Sequence, residues 1–365
     1  MKKALFIPYH GPNVDMCCNV AEVLEGYGVE PCFFAHEKEA QRALRYRKIF
    51  FQSFENNRSV SSVIDMLKPD IVISPHNLNP IGYLFVKHAK KRKIPTLLLH
   101  EGGSEVSKFL EEKKKTGYGG REVFPTSFRD KLGLVVFVIK KRVYGNMYMA
   151  HTGSDILAVA SEKAKEFMLE LGIKSDIVVT GQPRFDDIIN NRYNDKKIRE
   201  KYMVNDFVLI LTSIVVVDGI WPSEKLVGFI RALSDILKDL GKDFIIKIHP
   251  RESVDFYKKI DSELKISKED LYGLIHACDM VVSIPSTTTI ESLMFKKTVI
   301  LPDFLTKKPY SKELTPTVGV DSYQELREAL EEGSKRIVLE DLERFTYRLD
   351  GKSSCRVAEL VMEVI

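Results

Sequence analysis

Two runs in the second half of the chain carry residue types suited to holding an anion. DFIIKIHPRE ends an apolar, strand-like stretch on His249-Pro250-Arg251-Glu252. Further on, CDMVVSIPSTTTIESLMFKKTVI ends a second such stretch in hydroxyls, Ser283, Ser286, Thr287 and Thr288, and opens a helix carrying Glu291. Backbone N–H groups and the positive end of the helix dipole collect at such a helix start and favour a phosphate. A glutamate one turn in suits ribose hydroxyls. Together the runs read as a pocket for a nucleoside mono- or diphosphate on a parallel sheet. Thr288 to Glu291 also fits a capping box, in which Glu291 bonds back to its own helix start.

Further polar clusters fall where strands are expected to end: His10-Gly11, Ser74-Pro75-His76-Asn77, His100-Glu101-Gly102-Gly103, Thr180-Gly181-Gln182-Pro183-Arg184 and Thr212-Ser213. Ligands of open parallel sheets gather at the carboxyl ends of strands, so these clusters predict a cleft. His100-Glu101 follows TLLL and precedes two glycines, and a carboxylate or imidazole held there suits a general base. The eight histidines include no HxxxH, HxH or HExxH spacing, so no metal site is expected. GxGxxG, GxxxxGK[ST] and GxSxG are absent, which disfavours dinucleotide redox, P-loop and serine-elbow chemistry.

The elements that must position these residues alternate. Short β-branched runs at 4–9, 31–35, 70–74, 96–99, 177–180, 208–212, 244–248, 280–283 and 298–301 read as strands. Helical patterns at 14–27, 60–67, 81–91, 223–240, 271–277 and 323–331 lie between them. This rhythm predicts βαβ units, hence an α/β fold with parallel sheets. The polar run NNRYNDKKIREKY marks the best boundary. Domains are therefore expected at 1–190 and 201–345, with a closing helix in 346–365 that returns to the first.

A chain of 365 residues with 44% hydrophobic and 29% charged residues has ample core for two domains. Its net charge of +4 gives no support to a nucleic-acid partner. The five cysteines lack metal or redox spacing, in keeping with reduced thiols. MKKALFIPYHG reads as a first strand rather than a signal peptide, and no apolar run approaches the roughly 18 residues of a membrane span. One segment breaks the rhythm. From Lys108 to Arg142 it carries ten Lys/Arg against four Asp/Glu, including KLGLVVFVIKKR. It reads either as a buried element with solvated basic flanks or as a face for an anionic membrane surface.

On these residues the chain resembles the GT-B glycosyltransferase superfamily, which includes non-hydrolysing UDP-GlcNAc 2-epimerases and CDP-glycerol glycerophosphotransferases. LKPDIVISPHNLNPIGYLFVKHAKKRKIP, SDILAVASEKAKEFMLELGI with VVTGQPRFDDI, and LDGKSSCRVAELV resemble passages of that superfamily. HEG at 100–102, HP at 249–250 and ST at 286–287 resemble the motif order of bacterial CMP-sugar transferases, sialyltransferases among them. His100 stands where that pattern has its first acidic residue.

The resemblance implies two Rossmann-like domains whose parallel sheets face across a cleft (GT-B). It implies a metal-independent glycosyltransferase acting on surface glycan or glycolipid, with a CMP/CDP- or UDP-type sugar donor. Glu101, or His100, would be the base, and His249 the ligand of the leaving phosphate. Nucleotide and phosphate contacts would come from His249, Pro250, Arg251, Ser283, Ser286, Thr287, Thr288, Glu291, Thr212, Ser213, Gly181 and Arg184. Acceptor contacts would come from His10, Gly11, His76, Asn77 and Gly102. No cofactor is expected. Partners would be the nucleotide-sugar, a glycan or lipid-linked acceptor, and an anionic membrane surface met through Lys108 to Arg142. The place would be the cytoplasm or the inner face of the membrane. Three alternatives stay open: a CDP-polyol glycerophosphotransferase, a 2-epimerase, and a nucleotide binder without turnover. IPSTTTIES, in place of the epimerase Asp-Ser-Gly-Gly helix start, counts against the second.

Overall fold

The computed structural model describes residues 1–55, 59–75, 80–100, 127, 130–134, 153–268, 271–335, 337 and 342–365. The first part of the chain runs β1 (Lys2–Phe6), α1 (Gly11–Gly26), β2 (Val29–Phe33), α2 (Lys38–Tyr46), α3 (Val60–Leu67), β3 (Ile71–Ser74), α4 (Pro80–Lys91) and β4 (Thr96–Leu99). It continues through β5 (Ile156–Val159), α5 (Glu162–Glu170), β6 (Asp176–Val179), a 3₁₀ turn (Pro183–Phe185) and α6 (Asp186–Asn190). The rest runs α7 (Asp195–Tyr202), β7 (Phe207–Leu211), α8 (Ser223–Asp239), β8 (Asp243–Lys247), α9 (Val254–Lys258), β9 (Ile266–Ser267), α10 (Leu271–Ala277), β10 (Met280–Ser283), α11 (Thr287–Met294) and β11 (Thr298–Pro302). A 3₁₀ turn (Asp303–Leu305), β12 (Val318–Val320), α12 (Tyr323–Glu332), α13 (Glu343–Thr346) and α14 (Ser353–Met362) close it.

The described residues form two compact units. One holds those before residue 103, those from 119 to 189, and Arg344–Ile365; the other holds Asn190–Glu343. Each is built on a six-stranded sheet with all described pairings parallel, ordered β2-β1-β3-β4-β5-β6 in the first and β12-β11-β10-β7-β8-β9 in the second. The α/β class with two parallel sheets is thus as expected. Central strands such as FVLIL and MVVS are buried along their whole length, because helices cover both faces of a parallel sheet.

In the first unit the chain's final helix completes the core. Val357, Ala358 and Val361 of α14 are fully buried in one cluster with Val14, Cys17, Val20 and Leu24 of α1. Asp186 fixes the start of α14: Oδ1 accepts the Ser353 N–H at 2.9 Å, and Oδ2 accepts the Ser354 N–H and hydroxyl, each at 2.7 Å.

The polar run read as a boundary holds a helix, α7, none of whose residues is buried. With no apolar stripe its period is invisible in the sequence. The Asn194 side chain caps it by accepting the Lys197 N–H at 3.2 Å. Tyr193, just before, packs its ring on Tyr272, His276 and Phe295 of the second unit. Of the basic segment only residues 127 and 130–134 are described. There Asp130 is fully buried, accepting the Val60 N–H at the start of α3 and lying 2.9 Å from His88 Nε2. Among the described residues no helix is long and apolar enough to cross a membrane.

Candidate functional site

The sheet of the second unit reverses its order of growth at β7. The chain moves from β7 to β8 and β9 on one side, then crosses to β10, β11 and β12 on the other. The crevice outside the carboxyl ends of strands at such a switch is where these folds hold ligands. The loops there are Thr212-Ser213 after β7, His249 to Glu252 after β8, and Ile284 to Ser286 after β10. The ends of β8 and β10 lie two strand spacings apart, roughly 10 Å, a distance a nucleotide spans.

In the β8 loop, His249 is half-buried, and its Nδ1 accepts the Arg251 N–H at 3.1 Å. A ring nitrogen that accepts carries no proton, so the neutral ring presents Nε2–H as its donor. Pro250 and Arg251 are exposed. The Arg251 guanidinium lies 3.3 Å from Asp218, in the loop after β7. Glu252, by contrast, is buried at 6% exposure. Its Oε2 accepts the His249 N–H at 2.8 Å and the Thr212 hydroxyl at 2.5 Å, and its Oε1 accepts the Tyr257 hydroxyl at 2.7 Å. Burial, and after it the Glu252 carboxylate, pushes the Tyr257 phenol far above its ordinary value.

Across the switch point, Ser286 is the N-cap of α11. Its N–H donates to Thr289 Oγ1 at 3.3 Å, and its hydroxyl pairs with Thr288 Oγ1 at 2.6 Å. The capping residues are therefore Ser286 and Thr289, two positions earlier than the expected Thr288 and Glu291. Ser286, Thr287 and Thr288 are partly exposed, and the first N–H groups of α11 have no carbonyl within the helix to bond. This helix start can hold an anion.

Several expected nucleotide contacts turn inward instead. Ser283 is fully buried and donates to the Ile284 carbonyl at 3.0 Å. Thr212 gives its hydroxyl proton to Glu252, and Ser213 is buried beside it. Glu291 is 1% exposed, and its Oε1 accepts the Tyr272 hydroxyl at 3.4 Å. Thr212, Ser213 and Ser283 are drawn into the fold because a strand end in a covered sheet leaves little surface, and Glu291 because it lies among the buried residues of α11.

Gly181 and Arg184 belong to the first unit, whereas His249, Ser286 and Thr287 belong to the second. Gly181 has φ +81°, and a Cβ there would come within 2.5 Å of Ser353 Oγ, so the glycine serves the docking of α14. Arg184 lies in the adjoining 3₁₀ turn, its guanidinium 5.9 Å from the Phe185 ring.

In the first unit the order of growth reverses between β1 and β3. His10 is the extended N-cap of α1, and Gly11 donates its N–H to Glu39 Oε1 at 3.2 Å. His100 is 5% exposed, its N–H extending the ladder to the Ala158 carbonyl at 2.8 Å. His76, Asn77, Glu101 and Gly102 lie outside the described residues. Among the described residues no cluster of His, Cys, Asp and Glu is arranged to hold a metal ion.

What sequence reading missed is the group beneath the exposed residues: Glu252, Tyr257, Asp218 and Tyr272. Glu252 was visible beside the His-Pro pair, but its burial comes from three elements meeting.

Residues 104–281 match the family model described as alpha-2,8-polysialyltransferase (POLYST). No curated protein matches the chain. Among solved structures, UDP-GlcNAc 2-epimerase from Methanocaldococcus jannaschii in complex with UDP-GlcNAc and UDP is similar over the whole of both chains, at 17% identity and TM-score 0.62. A glycosyltransferase from Rickettsia africae is similar over 99% of both chains, at 16% identity and TM-score 0.59. A variant of the wall teichoic acid polymerase TagF, soaked with CDPG, matches 99% of this chain and 88% of its own, at 13% identity and TM-score 0.60. At these identities the likeness is one of fold, and that fold is GT-B.

Proposed function

We propose that this chain, a member of the GT-B-like glycosyltransferase superfamily, moves a sugar from a CMP/CDP- or UDP-type donor to a hydroxyl of a surface glycan or glycolipid, without a metal. One observation carries the donor side. His249 accepts from the Arg251 N–H and so offers Nε2–H, at the same sheet edge as the hydroxyl-lined start of α11. An imidazole donor and a helix N-terminus both stabilise the charge that grows on a departing phosphate. Glu101, with His100 as the substitute, is the proposed base that takes the acceptor proton. His10, Gly11, His76, Asn77 and Gly102 are the proposed acceptor contacts.

The test is a thermal-shift and titration panel of CMP, CDP, UMP and UDP with their sugars. At least one nucleotide should raise Tm. His249→Ala should weaken it by roughly 10- to 100-fold, the weight of a hydrogen bond to a charged group. Turnover should persist in EDTA. Wild-type affinity in His249→Ala rejects the pocket, and a strict divalent-cation requirement rejects the metal-free mechanism. Release of a 2-epimer without an acceptor, or transfer of a polyol phosphate, would move the chain to one of the two neighbouring chemistries.

A further inference from the structure

We infer that Glu252 is the positioning residue of the proposed phosphate site, acting through His249; the inference rests on the donor-site reading above. A loop that offers one imidazole to a ligand must hold that ring still, or rotamer entropy weakens the contact. Here the loop is closed on itself twice. The Glu252 N–H donates to the His249 carbonyl at 2.9 Å, and the Glu252 carboxylate accepts the His249 N–H at 2.8 Å. The ring is then oriented by the Arg251 N–H on Nδ1.

The same carboxylate joins the loop to two other elements. Thr212 comes from the end of β7, and Tyr257, fully buried, comes from α9. At 6% exposure, with three donors converging on two oxygens, Glu252 faces inward rather than towards a ligand. Its hydrogen bonds are the acceptor-only pattern of a carboxylate. A glutamine can offer only one oxygen with two lone pairs, so it cannot accept all three bonds. An aspartate, one methylene shorter, cannot keep all three contacts without a backbone shift. Thr212 therefore belongs to this anchor rather than to the nucleotide.

The experiment is a double-mutant cycle read by nucleotide titration, with CMP, CDP, UMP and UDP as probes. Glu252→Gln should raise the Kd of the bound nucleotide roughly tenfold in the wild-type background. In the His249→Ala background it should change Kd less than about twofold, because the ring it positions is gone. Any loss of Tm should be the same in both backgrounds. Tyr257→Phe, which removes one donor and keeps the carboxylate, should give a smaller loss with the same dependence on His249, and it serves as the test if Glu252→Gln does not fold. An unchanged Kd in Glu252→Gln, or equal losses with and without His249, overturns the positioning role while leaving the donor site standing. No effect of His249→Ala overturns the donor site, and the role of Glu252 with it.

Discussion

At the residue scale, the proposed chemistry divides between a base and a leaving-group ligand, and each predicts a different defect. Glu101→Gln keeps size and hydrogen bonding but removes the basic oxygen. Turnover should fall at least ~100-fold, the usual weight of a general base, while nucleotide Kd stays within about twofold. Unchanged turnover would transfer the role to His100. A third histidine makes a prediction about stability. His36 is 3% exposed, and among the described residues neither ring nitrogen has a hydrogen-bond partner. Burial holds its pKa down at about 3, against 6.5 for an exposed imidazole. Between those values the unfolded chain binds a proton that the folded chain refuses, so stability falls as pH drops through that window. The slope is at most about 1.4 kcal/mol per pH unit. His36→Leu should flatten the slope in urea melts at pH 6.5, 5.5 and 4.5; an identical slope would show that His36 opens to water before it titrates.

At the element scale, the strands and their helices were largely legible, because hydrophobic runs of four or five residues bounded by polar loops leave few alternatives. The helices at 60–67 and 271–277 and the strands at 96–99 and 280–283 stand as expected. Elements lost in the sequence were those without a pattern. In α7 nothing is buried, and β9 is only two residues long. The hydroxyl series was legible as a helix start, but not which hydroxyl caps it. Ser286 wins over Thr288 because the chain leaves β10 at Ser283 and turns at Pro285. The closing helix supplies a prediction at this scale. Asp186→Ala removes all three hydrogen bonds that the Asp186 carboxylate makes to the start of α14, a loss of about 2–3 kcal/mol. That should lower Tm by roughly 4–10 °C and raise proteolysis near residue 352. Wild-type melting would mean that the apolar face of α14 alone holds it to α1.

At the scale of the whole molecule, the basic stretch from Lys108 to Arg142 bears on where the proposed transferase would meet an acceptor. If it meets an anionic bilayer, the protein should co-sediment with phosphatidylserine-containing vesicles at low salt and leave them at high salt. Changing Lys140, Lys141 and Arg142 to Ala should weaken that binding severalfold, at about 1 kcal/mol per charge at most. Equal sedimentation of the triple variant would end the membrane reading. By itself the sequence determined the alternation of strand and helix, the α/β class and the helix start after β10, because hydrophobic period, turn residues and helix starts are local properties; the two runs it offered as a phosphate site remain a proposal. Only the tertiary structure decided which side chains in those runs face outward. Thr212, Ser283 and Glu291 were lost to the interior, Gly181 was given to the packing of α14, and Glu252 was placed under His249. The reason is physical: burial and hydrogen-bond partners arise where separate strands and helices converge, and residues 40 positions apart, such as Thr212 and Glu252, share nothing until the sheet brings β7 beside β8.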